Sequence, residues 1–320
     1  MSQKLVSVII PTYNRARQVV EAIKSVKAQS YSPIQIIVAD DGSGDDTAQK
    51  VAEFENVEYY YQENKGQGGA RNLGLSYAKG EYIASLDSDD TWDKDFIKVA
   101  VAALENFQAN FVFLNWTEIS GTEQSVSGWE QSKIWRKYFN NTNGEWALLK
   151  AEEVRRLFLE TCPAPSSALL IRRSSLVSGW NEEMKIADDW FLILEMVLTK
   201  PCVAAFTISR YWTKHIHSSN IYHGKEQLEI IKDLGLHDEP LIAKFFKEQL
   251  TFTEKSIMNK RLAGHYFNLG RLSLKRDGFS LKHIQSIATA FRVAPIGSLL
   301  YMTQLSFYFL KNRFRILQNK

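Results

Sequence analysis

Asp87-Ser88-Asp89-Asp90 stands directly after the apolar run Tyr82–Leu86, and its carboxylates are the groups in this chain best suited to hold a cation. Alternate carboxylates at a strand end point the same way and can share one ion. Hard oxygen ligands suit Mg2+ or Mn2+, with a bound diphosphate completing the octahedron. An isolated Asp-x-Asp is more often a solvated turn or helix cap, so the neighbouring clusters must decide. Asp40-Asp41-Gly42-Ser43 follows the run Ile34–Ala39. It reads either as an Asx-capped turn or as a carboxylate that accepts a hydrogen bond from a nucleobase edge. Pro11-Thr12-Tyr13-Asn14 follows Val6–Ile10, and Tyr13 there could stack on such a base.

Three further clusters carry chemistry-bearing side chains. Gly66-Gln67-Gly68-Gly69-Ala70-Arg71-Asn72 resembles a phosphate loop. Its glycine spacing and its place after the third strand depart from a dinucleotide fingerprint. The better reading is a close backbone approach near a helix N-terminus, with Arg71 offered to a phosphate. Ala187-Asp188-Asp189-Trp190 opens an apolar helical run, where an acidic residue is ordinarily a cap. His215-Ile216-His217-Ser218 lacks the companion ligands of a zinc site. It offers one imidazole to a diphosphate or metal, or a plain surface loop.

The elements that must position these clusters alternate along residues 1–115. Strands are expected at Val6–Ile10, Ile34–Ala39, Val57–Tyr61, Tyr82–Leu86 and Phe111–Leu114. Helices are expected near Arg15–Gln29, Asp46–Phe54, Gly69–Ala78 and Asp95–Glu105. Continuous apolar strands separated by helices imply an α/β fold with a mostly parallel sheet covered on both faces. Ligands on such sheets bind beyond the carboxyl ends of the strands, where the acidic clusters lie. Residues 116–165 mix polar residues with Trp116, Trp129, Trp135, Tyr138 and Trp146 and read as an irregular insertion. A strand is expected at Ala168–Ile171, a helix at Asp189–Leu198, and helices from about Glu226 onward.

Composition sets outer limits. The chain has 320 residues, 45% hydrophobic and 23% charged, as a globular protein with a full-sized core requires. A net charge of +3, without a long basic stripe in the first two thirds, gives no footing for nucleic acid. Cys162 and Cys202 form no disulfide framework and no metal-ligand spacing, and read as small buried residues in a reducing compartment. Leu5–Ile10 is too short for a signal sequence, and no stretch of about 20 apolar residues spans a bilayer, so a cytoplasmic protein is expected.

Taken in order, Val6–Arg15, Val38–Ser43, Gly69–Asn72, Leu86–Asp90 and Ser178-Gly179-Trp180-Asn181-Glu182 followed by Asp188-Asp189-Trp190 resemble the family 2 inverting glycosyltransferases of the GT-A fold. The resemblance covers roughly residues 4–220, and five ordered motifs are far more specific than one. It implies a GT-A catalytic domain at 1–220, with a nucleotide-binding half at 1–115 and an acceptor-binding half at 116–220, and a helical C-terminal region at 221–320. By position, Pro11, Thr12, Tyr13 and Asp41 would surround the donor's base, with Asp40 beside them. Asp89 would be the principal metal ligand, with Asp87 near the metal and the ribose and Ser88 beside them. Asp189 would be the catalytic base and Asp188 its neighbour. Arg71 and His215 would face the diphosphate, with His217 a rival for the latter place. Trp180, Asn181 and Asp188 depart from the family's usual Phe, Asp and Glu, which bears on acceptor preference more than on chemistry.

The implied reaction moves a sugar, with inversion, from a UDP-linked donor to a glycan or lipid-linked hydroxyl acceptor in surface polysaccharide synthesis, assisted by Mg2+ or Mn2+. Two rivals are a catalytically silent nucleotide-sugar-binding scaffold and a sugar-nucleotide transferase. The second normally carries a glycine-rich basic signature where Pro11-Thr12-Tyr13-Asn14 stands. Ile296–Leu317 forms a broad apolar arc at helical spacing, with Lys311, Arg313 and Arg315 near its end. It reads as an interfacial helix on the inner face of a membrane, or as a helix packed on the protein or on a second copy.

Overall fold

Val6, Val8, Ile9 and Ile10 are all fully buried, as a strand covered on both faces requires. The structure is a computed structural model that describes residues 3–127, 130, 132–139, 144–220 and 225–303. The chain divides into one unit of Met1–Met184 with Asp188–His223, and another of Lys185–Ala187 with Gly224–Lys320.

The first unit begins with β1 (Val6–Thr12), α1 (Ala16–Lys27), β2 (Ile34–Asp40), α2 (Thr47–Ala52), β3 (Val57–Tyr61), α3 (Gly66–Tyr77) and β4 (Tyr82–Ser85). It continues with β5 (Asp90–Trp92), α4 (Phe96–Asn106), β6 (Phe111–Ser120), β7 (Glu123–Val126), α5 (Lys133–Phe139), β8 (Trp146–Leu149) and α6 (Ala151–Glu160). β9 (Leu169–Arg172), α7 (Asp188–Thr199) and β10 (Ala204–Ile216) complete it. The strands join in the order β3-β2-β1-β4-β9-β6-β10-β5, with β7 on β6 and β8 on β10. β3, β2, β1 and β4 are mutually parallel. β9 runs antiparallel to both β4 and β6, so the sheet is parallel in one half and mixed in the other.

This register gathers the acidic clusters. Thr12 pairs with Asp40 and Ile9 with Ser85, so the loops that leave β1, β2 and β4 emerge side by side. β5 pairs antiparallel with β10 through Asp90 and Lys214, which lays residues 215–220 beside the acidic loop. α3 lies close on β1 because Gly74 faces Ile9. A Cβ at Gly74 would stand 2.4 Å from Ile9 Cγ2.

Residues 116–165 are more ordered than their mixed composition implies. β6 runs on to Ser120 and turns through Gly121 into β7, and β8 and α6 follow. Short, half-exposed strands pair through backbone groups, and their side chains leave a weak alternation. Cys202 is buried as expected, whereas Cys162 is exposed just beyond α6.

The second unit is helical: α8 (Gln227–Ile230), a π-helical segment Ile231–Asp238, α9 (Glu239–Phe245), α10 (Phe252–Asp277) and α11 (Leu281–Val293), then helical residues 295–303. Thr251 and Glu254 form a reciprocal cap at the start of α10, and Gly278 at φ 78° ends it. Ala263, Phe267 and Ala290 form the core between α10 and α11. The expected apolar arc falls partly within this region, and its residues 304–317 lie outside the described residues. Among the described residues no helix is long and apolar enough to cross a membrane.

Candidate active site

The site is assembled from loop carboxylates whose partners differ in kind. Asp40, at the end of β2, has no solvent exposure. Its Oδ1 accepts the Ser43 N–H at 2.8 Å and its Oδ2 the Tyr59 hydroxyl at 2.7 Å. It holds the turn together and has no exposed surface of its own. Burial, followed by this carboxylate, raises the Tyr59 pKa. Asp41 is 3% exposed; its Oδ1 accepts from Gln62 Nε2 at 2.7 Å and from the Lys65 N–H at 2.8 Å. Its Oδ2 takes the Gly66 N–H at 2.8 Å, so the carboxylate caps the N-terminus of α3 and retains one acceptor position. Pro11 and Thr12 are buried, while Tyr13 is 49% exposed and presents its ring to solvent. Asn14, at φ 51°, links this loop to the next through Ser43 and Gly44.

The glycines near 66–69 open α3 rather than forming a separate loop. A Cβ at Gly68 would press to 3.1 Å from the Asn181 carbonyl, and one at Gly179 to 2.6 Å from Asn72 Oδ1. Asn72 grips Trp180 through both its backbone groups, donating at 2.7 Å and accepting at 2.9 Å. The glycine-rich stretch and Ser178–Glu182 are therefore two sides of one close packing contact.

Arg71 lies at the centre. Its side chain is 4% exposed, and its Nη2 donates to Asp87 Oδ1 at 2.6 Å. Its Nη1 donates to Asp188 Oδ2, and its Nε to Ser85 Oγ at 3.3 Å. Asp188 also accepts from Gln67 Nε2 at 2.6 Å. Burial alone would lower the Arg71 pKa, but the charges of Asp188 and Asp87 outweigh it and raise it, so the guanidinium stays charged. Three of the five Arg71 N–H donors thus go to internal partners. Asp189, next along α7, is partly buried, and its Oδ1 accepts the Trp190 N–H at 2.6 Å. Burial and then the neighbouring Asp188 charge push its carboxyl up to about 7.

Asp87, Asp89 and Asp90 each offer a carboxylate oxygen, all within 4.8 Å of one another. Asp90 is 4% exposed and accepts from Ser167 Oγ at 2.7 Å. Burial, then the charges of Asp87 and Asp89, raise its pKa well above the carboxylate range. Hard oxygens gathered where they repel one another are the donor set a small divalent cation takes, so these residues fit Mg2+ or Mn2+. Asp89 Oδ2 meets Arg15 Nη1 at 2.8 Å, Asn220 Nδ2 at 2.9 Å and His217 Nε2 at 3.0 Å. His215, the expected diphosphate partner, meets Thr91 Oγ1 at 3.2 Å, and burial lowers its pKa. Ser88 is buried at 2%. Sequence reasoning gave Arg15 and Asn220 no role; Arg15 reaches Asp89 through the β1–β4 pairing and Asn220 through the β5–β10 pairing.

Residues 7–178 match the sequence profile of Glycosyl transferase family 2. The chain belongs to that family. A relative from Escherichia coli, named UDP-Glc:alpha-D-GlcNAc-diphosphoundecaprenol beta-1,3-glucosyltransferase WfgD, is 37% identical over 123 residues, which is 38% of this chain and 49% of WfgD. Glycosyltransferase GlyG of Streptococcus pneumoniae is 36% identical over 118 residues, 35% of this chain and 39% of that protein. The family 2 chain thus spans less than half the length of these curated relatives. Among solved structures, S. aureus TarS 1–349 is similar with a TM-score of 0.60 at 20% identity, covering 90% of this chain and 83% of that one. The mannosyltransferase PcManGT of Pyrobaculum calidifontis, in complex with GDP-Man and Mn2+, has a TM-score of 0.55 at 16% identity, covering 100% and 88%. These likenesses bear out the GT-A fold.

Removing the Arg71 side chain leaves Asp188 buried and unpaired. Arg71→Ala should destabilise the fold by about 3–5 kcal/mol, the usual cost of breaking one side of a buried ion pair. Denaturant unfolding of the two proteins measures it, and a loss below about 1 kcal/mol would show the pair to be dispensable.

Proposed function

We propose that this chain transfers a sugar from a nucleotide donor to a hydroxyl acceptor by one inverting displacement, with a divalent cation held at Asp89 and Asp87. The Arg71 bridge carries this reading, because it ties the donor-side carboxylate Asp87 to Asp188, the neighbour of Asp189. The bond between the anomeric carbon and the leaving diphosphate breaks as negative charge builds on the β-phosphate. When bound, the cation supplies a Lewis acid where that charge develops. Asp189 takes the acceptor's proton as general base, from the opposite face. Its Oδ1 is occupied by the Trp190 N–H, which leaves Oδ2 for that proton. Arg71 keeps Asp188 fixed and compensated, so the base is presented in one orientation.

UDP is the proposed nucleotide. TarS 1–349 has been solved with UDP-GlcNAc and with UDP, and WfgD is named for UDP-Glc. Exposed Tyr13 offers a stacking face and Asp41 its remaining acceptor position. A lipid-linked acceptor in surface-glycan synthesis is supported by the diphosphoundecaprenol substrate in the WfgD name. Peripheral contact with a membrane would suit such an acceptor. Ile296, Leu299, Leu300 and Met302, each 47–78% exposed, support it. Isothermal calorimetry in Mn2+ should give tighter binding of UDP than of GDP, and the reverse order would reassign the donor.

Excess EDTA should abolish turnover, and Asp89→Asn should lower kcat at least about 100-fold, the scale of losing a stabiliser of developing charge. A transfer assay over a panel of nucleotide sugars tests both, and full activity in EDTA would remove the metal from the reaction.

Asp189→Asn should retain UDP affinity while transfer falls to background, since the base acts only on the acceptor proton. A general base works when ionised, and this carboxyl titrates at about 7. Activity should therefore be present above that pH and fall tenfold per unit below it, in a kcat/KM profile that the variant lacks.

A further inference from the structure

Asp89 Oδ2 holds three donors: Arg15 Nη1 at 2.8 Å, Asn220 Nδ2 at 2.9 Å and His217 Nε2 at 3.0 Å. A carboxylate oxygen has two lone-pair directions, so three donors at these distances saturate it. Only Arg15 among the three carries a fixed positive charge. Its guanidinium also donates from Nη2 to the Ser219 carbonyl at 3.2 Å, which holds residues 217–220 against the acidic loop. Asn220 and His217 are pinned to one another through the His217 N–H and Asn220 Oδ1 at 2.7 Å. Arg15 instead sits on the loop that leaves β1, just before α1, with 19% of its side chain exposed.

We propose that Arg15 is a placeholder cation: it neutralises Asp89 and competes with the divalent metal for that carboxylate. The inference rests on the metal site of the proposed function. Three donors on Asp89 Oδ2 leave Oδ1 for a metal ion, and a cation there stands on the same carboxylate as the Arg15 guanidinium, which repels it. Metal binding to the free protein must push Arg15 aside or bear that repulsion, and either weakens it. A nucleoside diphosphate changes the balance, since its negative charge offers the displaced guanidinium a bidentate partner. Metal and nucleotide then bind as a coupled pair, and by linkage each raises the affinity of the other by the same factor.

Mn2+ binding to the full chain without nucleotide, read by electron paramagnetic resonance of the free ion, tests this directly. Arg15→Gln should tighten Mn2+ about tenfold. Arg15→Lys, which keeps the charge, should stay within about threefold of the unaltered protein. UDP titrated by calorimetry, in saturating Mn2+ and in EDTA, should gain at least tenfold from the metal in the unaltered protein and clearly less in Arg15→Gln. Unchanged or weaker Mn2+ binding by Arg15→Gln would overturn the placeholder role, as would equal tightening in both variants. If no protein binds Mn2+ and UDP affinity is indifferent to it, the metal site itself falls.

Discussion

One buried guanidinium holds the first unit's chemistry together. Arg71 has almost no access to water, and transferring such a charge out of water is costly unless it is fully paired. Asp87 and Asp188 supply that pairing from distant parts of the sequence: one from the loop after β4, the other from the first turn of α7. Neither end can move without leaving a buried charge uncompensated. This constraint fixes the spacing between the carboxylates that fit a cation and the carboxyl that can accept a proton. It also explains why α3 is packed so closely. The helix must carry Arg71 inward, and Gly74 against Ile9 and Gly68 against Asn181 permit that approach.

The acidic residues look alike in the sequence but divide by what satisfies them. Asp40 is consumed by its own turn and by Tyr59, and Asp41 by the N-terminus of α3. These two are scaffolding first, with one acceptor position left on Asp41. Asp87, Asp89 and Asp90 crowd one another, and Asp90 responds by holding its proton more tightly. Asp189 is raised by burial and by Asp188, which turns an ordinary helix-start carboxylate into a base poised near neutrality. Identical side chains thus acquire different chemistry from the number of donors each meets.

The alternating α/β half of the fold was legible because β1, β2 and β4 are buried and read as apolar runs, and the half-exposed β3 is rich in strand-favouring tyrosines. β3 falls at the expected Val57–Tyr61, and β1, β2 and β4 lie within two residues of expectation. β5 and most of β10 were not legible. β5 is three residues long, and β10 mixes Arg210, Lys214 and His215 with its aromatics. Their pairing decides which histidine approaches Asp89, so sequence position alone left His215 and His217 as rivals. Arg71 shows the same limit. A guanidinium beside a glycine-rich helix start suggests a phosphate, and only the fold of residue 188 onto residue 71 reveals a carboxylate there instead. Local sequence reports which side chains are available, whereas long-range pairing decides what they meet.

Charge balance links the scaffold to the proposed chemistry. Asp87, Asp89, Asp90, Asp188 and Asp189 are set against Arg71 and Arg15, with Lys214 acting on Asp90 from β10. A nucleoside diphosphate would bring further negative charge to a region that already has too much. Arg71 gives three of its five donors to Asp87, Asp188 and Ser85 and is almost fully buried, so its charge is already balanced within the protein. In the proposed chemistry that charge is met by a cation that enters with the donor and by the Arg15 guanidinium, which follows the central strand β1 and is partly open to solvent. On the proposed reading such a site favours the complete metal–donor pair over either component alone, since a cation alone faces Arg15 and a diphosphate alone faces the carboxylates.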